Sequence, residues 1–301
     1  MPNVESTNQA TVINKTQLVI SAPSFEHTGP EQIDAEQIGS GQVKLAPMSD
    51  SVASEQALQI MLSYSQQGRW QRRSLAVIMR TPGDDKALVF GYLISQGVVS
   101  TLAEVEALIL EEDNLAEVKL KQHIEVDWQR FERVFVSQSG CGVCGQSQLK
   151  QLALLFEPLN PRRSWLKPEQ LLSLPSELRE RQSLFLQTGG SHGAGLWQAD
   201  TANDLVVAED VGRHNAVDKL LGHAYQSNLS LTQSALVLSG RISFELVQKA
   251  VAARIPVIVA VGAPSDLAIT TAKHFNIALI GFTKAQQANV YCGQSQLALE
   301  N

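Results

Sequence analysis

Two cysteines, Cys141 and Cys144, are the residues whose type and spacing point most directly to chemistry in this chain. Glycine stands on both sides of the pair and again inside it. Glycine leaves the backbone flexible and uncrowded, so large reactants can approach the two thiols. The other neighbours are serine and glutamine rather than apolar side chains, and this pattern indicates reactive, accessible thiols.

Metal-binding and redox sites also use cysteine pairs at this spacing. A structural zinc site needs four protein ligands, and the chain adds only Cys292 and scattered histidines. A thioredoxin-like redox pair opens a helix after a strand, whereas the glycines here favour a loop. A zinc deaminase would use His123 and Glu125 upstream of the pair. However, no proline precedes Cys141, and the alternation around His123 predicts a strand. No zinc is therefore expected.

The fourth kind of site is a carrier thiol, which accepts a group and passes it on by exchange. An accessible thiolate with a second thiol nearby suits this chemistry, and we favour it for Cys141 and Cys144. Cationic groups close to the attacking thiol would lower its pKa. We expect His192, Arg213 and His214 to supply them if the fold brings these side chains close.

Composition excludes several other classes of protein. A formal net charge of -6 argues against a general nucleic-acid binder, which shows a basic stripe. The longest apolar run, 255–261, contains a proline and is strand-sized, so no membrane span is expected. No basic start followed by an apolar run opens the sequence, which predicts a cytoplasmic protein with reduced thiols.

The first 135 residues predict an arm followed by a small domain. Residues 1–45 are polar with weak periodicity, which is typical of a loosely ordered arm. Residues 46–135 predict a small α+β domain, because apolar runs at 57–62 and 75–79 flank a glycine-containing turn. A further alternating run at 123–126 predicts another strand.

Residues 136–301 predict an α/β domain. Apolar strands alternate with helices in its second half, which indicates a mainly parallel sheet covered on both faces. Further upstream, 184–193 predicts a strand that runs into a glycine-rich loop. Ligands of such sheets bind outside the carboxyl ends of the strands. The loops at those ends hold Arg241 and Lys284, so they predict an anion site suited to phosphate.

Six motifs lie along the chain in the order Thr81-Pro82, Phe90-Gly91-Tyr92-Leu93, Cys141-Gly142-Val143-Cys144-Gly145, Thr188-Gly189-Gly190 with His192, the run from Glu209 to Lys219, and Ser239-Gly240-Arg241. Together they resemble the formate dehydrogenase accessory protein family, FdhD. The resemblance extends over about residues 55–292, and the long run and the C-G-x-C-G are its most specific parts.

The resemblance implies a sulfur carrier. A cysteine desulfurase would pass sulfane sulfur to the pair, with Cys141 holding the persulfide and Cys144 assisting. The protein would deliver this sulfur to the molybdenum of a bis(molybdopterin guanine dinucleotide) cofactor before the cofactor enters formate dehydrogenase. The implied fold is a cytidine-deaminase-like three-layer α/β/α domain with a smaller N-terminal α+β domain, in a homodimer. A cofactor-binding chaperone without sulfur transfer is the alternative.

The resemblance also places the cofactor. The family's cofactor-binding segment corresponds to Phe282, Thr283, Lys284, Ala285, Gln286 and Gln287. The further residues expected to face the cofactor are Arg241, His192, Arg213 and His214. The family has glycine and a second basic residue where this chain has Ala285, Gln286 and Gln287, so the pocket has less positive charge here.

Overall fold

A computed structural model describes residues 9–20, 43–112, 114–126, 128, 144–199 and 205–298. Before the cysteine pair its elements are β1 (Ala10–Ile20), β2 (Val43–Ala53), β3 (Gln56–Gln66), β4 (Arg69–Arg80), α1 (Asp85–Ser95), β5 (Val105–Glu111) and β6 (Leu115–Leu120). After it they are α2 (Cys144–Leu155), α3 (Pro168–Arg181), α4 (Ser183–Thr188), β7 (His192–Gln198), β8 (Leu205–Asp210), α5 (Arg213–Gln226), β9 (Ser234–Leu238), α6 (Phe244–Ala252), β10 (Val257–Ala260), α7 (Asp266–His274), β11 (Ala278–Lys284) and β12 (Gln287–Cys292).

The N-terminal segment differs from the expected loose arm. Strands β1 and β2 pair antiparallel along their whole length, from Ala10 opposite Ala53 to Ile20 opposite Val43. A two-stranded ribbon is only marginally stable by itself. Its base is held by contacts with α4, and the Thr11 and Ser54 hydroxyls lie 2.9 Å apart there. The sequence indicated a strand only at 17–21, and its weak periodicity did not show that the strand begins at Ala10 and pairs with β2.

A four-stranded sheet in the order β4-β3-β6-β5 follows, with α1 packed on its inner face. The predicted hairpin of β3 and β4 is confirmed, with its turn at Gln67 and Gly68. The strand predicted at 123–126 was wrong, because the chain makes a turn in which the Ile124 N–H donates to the Lys121 carbonyl. Ile124 and Val126 pack onto the sheet's core from this loop, which explains the misleading alternation.

The second sheet has six strands in the order β12-β11-β10-β9-β7-β8. Only β9, β10 and β11 run parallel, and the remaining strands are antiparallel to their neighbours, so the expected mainly parallel sheet was only partly right. Helices cover both faces, as expected. On β9, Leu236 and Leu238 face the core beneath α5, α6 and α7, and Ala235 and Val237 face α3.

The strand predicted at 184–193 was also wrong. Residues Ser183–Thr188 form the short helix α4, and the strand begins only at His192. The reason is the Glu209 carboxylate, which accepts hydrogen bonds from the Leu184 and Phe185 N–H groups at 2.8 and 2.9 Å. An acid at a helix N-terminus stabilises the helix, but here it comes from a separate strand that local pattern cannot reveal.

Helices α1 and α5 join the two sheets at very short range. A Cβ atom added at Gly222 would lie 1.9 Å from the Ala87 carbonyl oxygen, and one at Gly91 would lie 1.8 Å from the Asp218 carbonyl oxygen. These contacts involve backbone, which cannot rotate away as a side chain can. The two glycines therefore allow the helices to approach as closely as they do.

Two buried ion pairs occupy the same junction. The Lys219 ammonium lies 2.8 Å from the Asp210 carboxylate, and neither side chain is exposed to solvent. The Lys249 ammonium donates to both carboxylate oxygens of Asp218 at 2.7 and 2.8 Å, and to the Ser95 hydroxyl at 3.0 Å. A buried charge without its partner is strongly destabilising, so each pair fixes the mutual position of the elements that supply it.

We expect Gly222→Ala to destabilise the protein by about 1–3 kcal/mol or more, because the new methyl group overlaps a backbone carbonyl of α1. The matched control is Gly190→Ala, where the nearest atom is the Ala53 Cβ at 3.5 Å. Urea unfolding of both variants measures the difference. Equal stability of the two variants would contradict the close helix packing.

Candidate functional site

The loops that follow β9 and β10 lie side by side at the carboxyl edge of the parallel strands, as predicted. The last residues of β11 lie next to them, so the loop predicted at 282–284 is part of that strand. The Gly262 N–H donates to the Gly240 carbonyl and the Phe282 N–H donates to the Gly262 carbonyl, each at 3.1 Å. A Cβ atom at Gly262 would lie only 2.7 Å from the Gly240 oxygen. Close approach of the loops thus depends on glycine, and backbone hydrogen bonds extend the sheet beyond its last paired residues.

The backbone of Phe282 is strained at this edge. Its φ is 51°, a left-handed conformation that is a genuine outlier for a bulky residue. The register of β11 and β12 shifts between Gly281 and Lys284, so the bulge falls on Phe282 and Thr283. The Phe282 side chain is 45 % exposed, and the Thr283 side chain is buried. Strain of this kind persists only where surrounding structure enforces it, and it clusters at functional sites.

The antiparallel strands β7 and β8 bring further predicted residues to the same edge. Because β7 is antiparallel to β9, it begins where β9 ends, and the Gly193 N–H donates to the Ser239 hydroxyl at 2.9 Å. The His192 ring lies against Gly240, with its Nδ1 atom 3.5 Å from where a Cβ would stand. His192 is also paired in register with Asp210, the last residue of β8.

Asp210 fixes the start of α5, where Arg213 and His214 stand. One of its carboxylate oxygens accepts hydrogen bonds from the Gly212 N–H at 2.8 Å and from the Asn215 side chain at 2.9 Å. The acid therefore determines where the helix begins. As a result, the fold brings His192, Arg213 and His214 close to one another.

Both histidines have lowered pKa values, which favours the neutral imidazole at pH 7. Burial lowers the pKa of His192, and the Arg213 guanidinium lowers it further, against an opposing effect of Asp210. Burial also lowers the pKa of His214 to about 4, with Arg213 and Lys249 acting in the same direction. The Nε2 atom of His214 lies 3.3 Å from the Ser243 hydroxyl oxygen. Of the three residues expected to be cationic, only Arg213 therefore carries its charge at neutral pH.

An open cleft of about 710 Å³ lies beside this edge, on the face of the sheet that α3 covers. Its lining consists of Leu172, Pro175, Ser176, Leu178, Arg179, Gln182, Phe185, Gly189, Gly190, Ser191, His192, Ser239, Val261, Thr283, Lys284 and Ala285. Four predicted residues, His192, Thr283, Lys284 and Ala285, are thus brought together there. The cleft is of a size that binds small molecules.

The remaining predicted cofactor residues do not line this cleft. Arg213 and His214 begin α5. Arg241 is exposed on the loop after β9, Phe282 is exposed within β11, and Gln286 and Gln287 are exposed at the turn into β12. The paired cations predicted from sequence, Arg241 and Lys284, are therefore not both in the cleft. Sequence reasoning missed the wall supplied by α3 and α4, because a residue's position across a cleft has no signature in local periodicity.

Buried polar atoms without partners also mark this region. Within the described residues, Gln182 Nε2, Thr283 Oγ1 and Arg213 Nε are buried and make no hydrogen bond. Gln182 and Thr283 are among the lining residues of the cleft. Unpaired buried polar groups are costly, and they occur in folded proteins mainly where function or bound water explains them.

The predicted carrier pair is only partly described. Cys141 lies outside the described residues, and Cys144 is the first residue of α2, one turn before the helix start expected from periodicity. Further along α2, Leu149 and Leu152 pack on the core beneath α5, α6 and α7. Helix α2, which Cys144 begins, therefore packs on the helical layer formed by α5, α6 and α7. These three helices begin at the same edge of the sheet as the candidate site. The proximity of the thiols to His192, Arg213 and His214 stays a prediction.

In the described part of the chain, potential metal ligands are scattered and the third cysteine is buried. No three histidine, cysteine, aspartate or glutamate side chains there lie close enough together to hold a metal ion. The third cysteine, Cys292, is buried, donates to the Ile277 carbonyl at 3.2 Å and has a pKa raised by burial. Among the described helices, none has the length and apolar character needed to cross a membrane.

We expect the pKa of His214 to appear in the pH dependence of stability. The folded-state value of about 4 lies below the ordinary 6.5, so between these pH values the unfolded chain binds a proton that the folded chain does not. The free energy of unfolding therefore falls as the pH drops through this window, and it should fall less in His214→Asn. Urea unfolding across the window tests this, with His274→Asn as the exposed control. An equal fall in wild type and His214→Asn would contradict the assignment.

Known proteins resemble this chain over most of its length. A protein of Streptomyces avermitilis named sulfur carrier protein FdhD is 39 % identical over 277 residues, covering 87 % of this chain and 93 % of that protein. A protein of the same name from Saccharolobus solfataricus is 38 % identical over 244 residues, covering 81 % of this chain and 89 % of that protein.

A solved structure supports the fold independently. The crystal structure of a protein of Desulfotalea psychrophila, described as a formate dehydrogenase accessory protein, superposes with a TM-score of 0.67 at 24 % identity. The superposition covers 95 % of this chain and 99 % of the Desulfotalea psychrophila chain. The family model of the FdhD/NarQ family matches residues 53–298, a range that begins at the last residue of β2 and includes both cysteines of the pair. The chain therefore belongs to the FdhD/NarQ family.

Proposed function

We propose that this protein is a sulfur carrier in the maturation of formate dehydrogenase. The observation that carries the proposal is the cysteine pair of this chain, which lies within residues 53–298 matched by the family model, in a chain whose relatives are named sulfur carrier protein FdhD. A carrier requires an accessible thiol with a second thiol near it, and the glycine-flanked pair has this character.

The proposed chemistry is thiolate exchange at Cys141. The Cys141 thiolate attacks the terminal sulfur of a persulfide on a cysteine desulfurase. A new S–S bond forms at Cys141 as the donor's S–S bond breaks, and the donor cysteine leaves as a thiolate, so no external oxidant or reductant is needed. Cys144 assists as the neighbouring thiol, at a helix N-terminus where the backbone dipole favours a thiolate.

The acceptor is the molybdenum cofactor, bis(molybdopterin guanine dinucleotide), bound as a substrate. The cleft beside the carboxyl edge supports this part of the proposal, because Thr283, Lys284 and Ala285 of the expected cofactor segment line it. Lys284 offers a positive charge to phosphate, and Thr283 offers a hydroxyl that has no partner within the described residues. Arg241, Arg213, His192 and His214 stand along the adjoining edge, where an extended dinucleotide would pass.

The remaining features of the proposal follow from the family. We infer a cytidine-deaminase-like arrangement for the α/β domain within 136–301, preceded by a smaller domain within 46–135. Helices pack on both faces of the six-stranded sheet, which is compatible with a three-layer α/β/α arrangement. A homodimer in the cytoplasm, served by a cysteine desulfurase and serving formate dehydrogenase, completes the proposal. A chaperone that binds cofactor and never carries sulfur is the alternative, favoured only by the cleft.

We expect Cys141→Ala to abolish sulfur loading. Incubation of the wild type with an active cysteine desulfurase and free cysteine should add the mass of one sulfur atom to the peptide holding the pair, and reductant should remove it. Intact-protein and peptide mass spectrometry measures both.

The control is Cys292→Ala, which removes a buried thiol outside the pair and should load normally. Unchanged loading of Cys141→Ala would overturn the assignment of the carrier residue. No loading of the wild type, with the desulfurase active, would favour the chaperone.

A further inference from the structure

The cleft has an unusual charge for this protein. The chain has a formal net charge of -6, yet the residues lining the cleft include Arg179, His192 and Lys284 and no aspartate or glutamate. In the part of the chain that the structure describes, neither Arg179 nor Lys284 has a carboxylate at ion-pair distance. Cations with no carboxylate partner around a concave surface attract anions.

Arg179 is held in the cleft by an aromatic ring. Its guanidinium carbon lies 3.5 Å from the centre of the Phe185 ring, and Phe185 lines the same cleft. Stacking on a ring fixes the plane of a guanidinium while leaving its N–H groups free to donate. A guanidinium held in this way binds phosphate oxygens in a bidentate manner with little loss of side-chain entropy.

The acid that holds α4 in place already has hydrogen-bond partners. Glu209 accepts hydrogen bonds from the Leu184 N–H, the Phe185 N–H and the Ser191 hydroxyl, at 2.8, 2.9 and 2.8 Å. These bonds fix α4, and with it the position of Phe185 beneath Arg179. The carboxylate thus builds the wall of the cleft rather than neutralising its cations.

We propose that Arg179, stacked on Phe185, is the second phosphate-binding cation of the cleft and acts together with Lys284 on the diphosphate group of a nucleoside diphosphate moiety. This inference rests on the proposed function, because it assigns a residue to the binding of the cofactor's guanine dinucleotide. It also accounts for Ala285 and Gln286 in the edge segment: a helix on the facing wall supplies the charge that the segment lacks.

The test is the affinity of the full-length protein for GDP and for guanosine, measured by calorimetry. Arg179→Gln should weaken GDP binding by roughly tenfold or more, the range typical of a lost charged hydrogen bond, and leave guanosine binding unchanged. Arg179→Lys keeps the charge but loses the planar fork, so its affinity for GDP should fall between the two. Arg163→Gln, an exposed arginine outside the cleft lining, is the control for net charge.

Each other outcome would overturn the inference. Equal losses for GDP and guanosine would mean that Arg179 shapes the cleft without binding phosphate. A loss in Arg179→Gln no greater than in Arg163→Gln would mean that only overall charge matters. Absence of GDP binding in the wild type would remove the nucleoside diphosphate site altogether. Sulfur loading of Cys141 in the wild type, measured on the same preparation, tests the carrier function by itself, so failure of this inference is separate from failure of the carrier function.

Discussion

The ion pair of Asp210 and Lys219 is the interaction on which the rest of the structure depends, and both of its side chains are inaccessible to solvent. Asp210 also accepts a hydrogen bond from the Thr81 N–H at 3.0 Å, and the Lys219 ammonium donates to the Thr81 carbonyl at 2.9 Å. The end of β4 is thereby bound to β8 and α5. The same carboxylate begins α5 and so positions Arg213 and His214. One buried acid thus joins the two sheets and sets out one side of the site.

The pair also explains the unusual density of polar residues in the run from Glu209 to Lys219. Glu209 faces one side of its strand and anchors α4, and Asp210 faces the other and anchors α5. Most of this run therefore has a structural role, because it holds α4 and α5 in place beside the site. Of the basic residues in this run, Arg213 and His214 remain partly exposed at the edge, whereas Lys219 is buried.

The local sequence pattern predicted the elements that are stabilised by residues close to them in the sequence. The hairpin of β3 and β4 and the alternation from β9 to β11 follow from periodicity and turn residues, and the structure has them. It did not predict α4, because the acid that stabilises this helix comes from Glu209 on another strand. It did not predict that β7, β8 and β12 run antiparallel, because strand direction depends on connections and not on side chains. It paired Arg241 with Lys284 because both lie at the carboxyl ends of parallel strands, and it had no signal for Arg179, which lines the cleft from α3 together with Lys284.

The proposed function requires that the sulfur held by this protein reaches the molybdenum cofactor of formate dehydrogenase. The most direct measurement loads the protein with radiolabelled sulfur, removes the desulfurase and free label, and adds molybdenum cofactor together with cofactor-free formate dehydrogenase. We expect the radiolabelled sulfur to leave the carrier protein and to be recovered with the cofactor in active formate dehydrogenase. Activation of the enzyme while all label stays on the carrier, or is released as free sulfide, would contradict it.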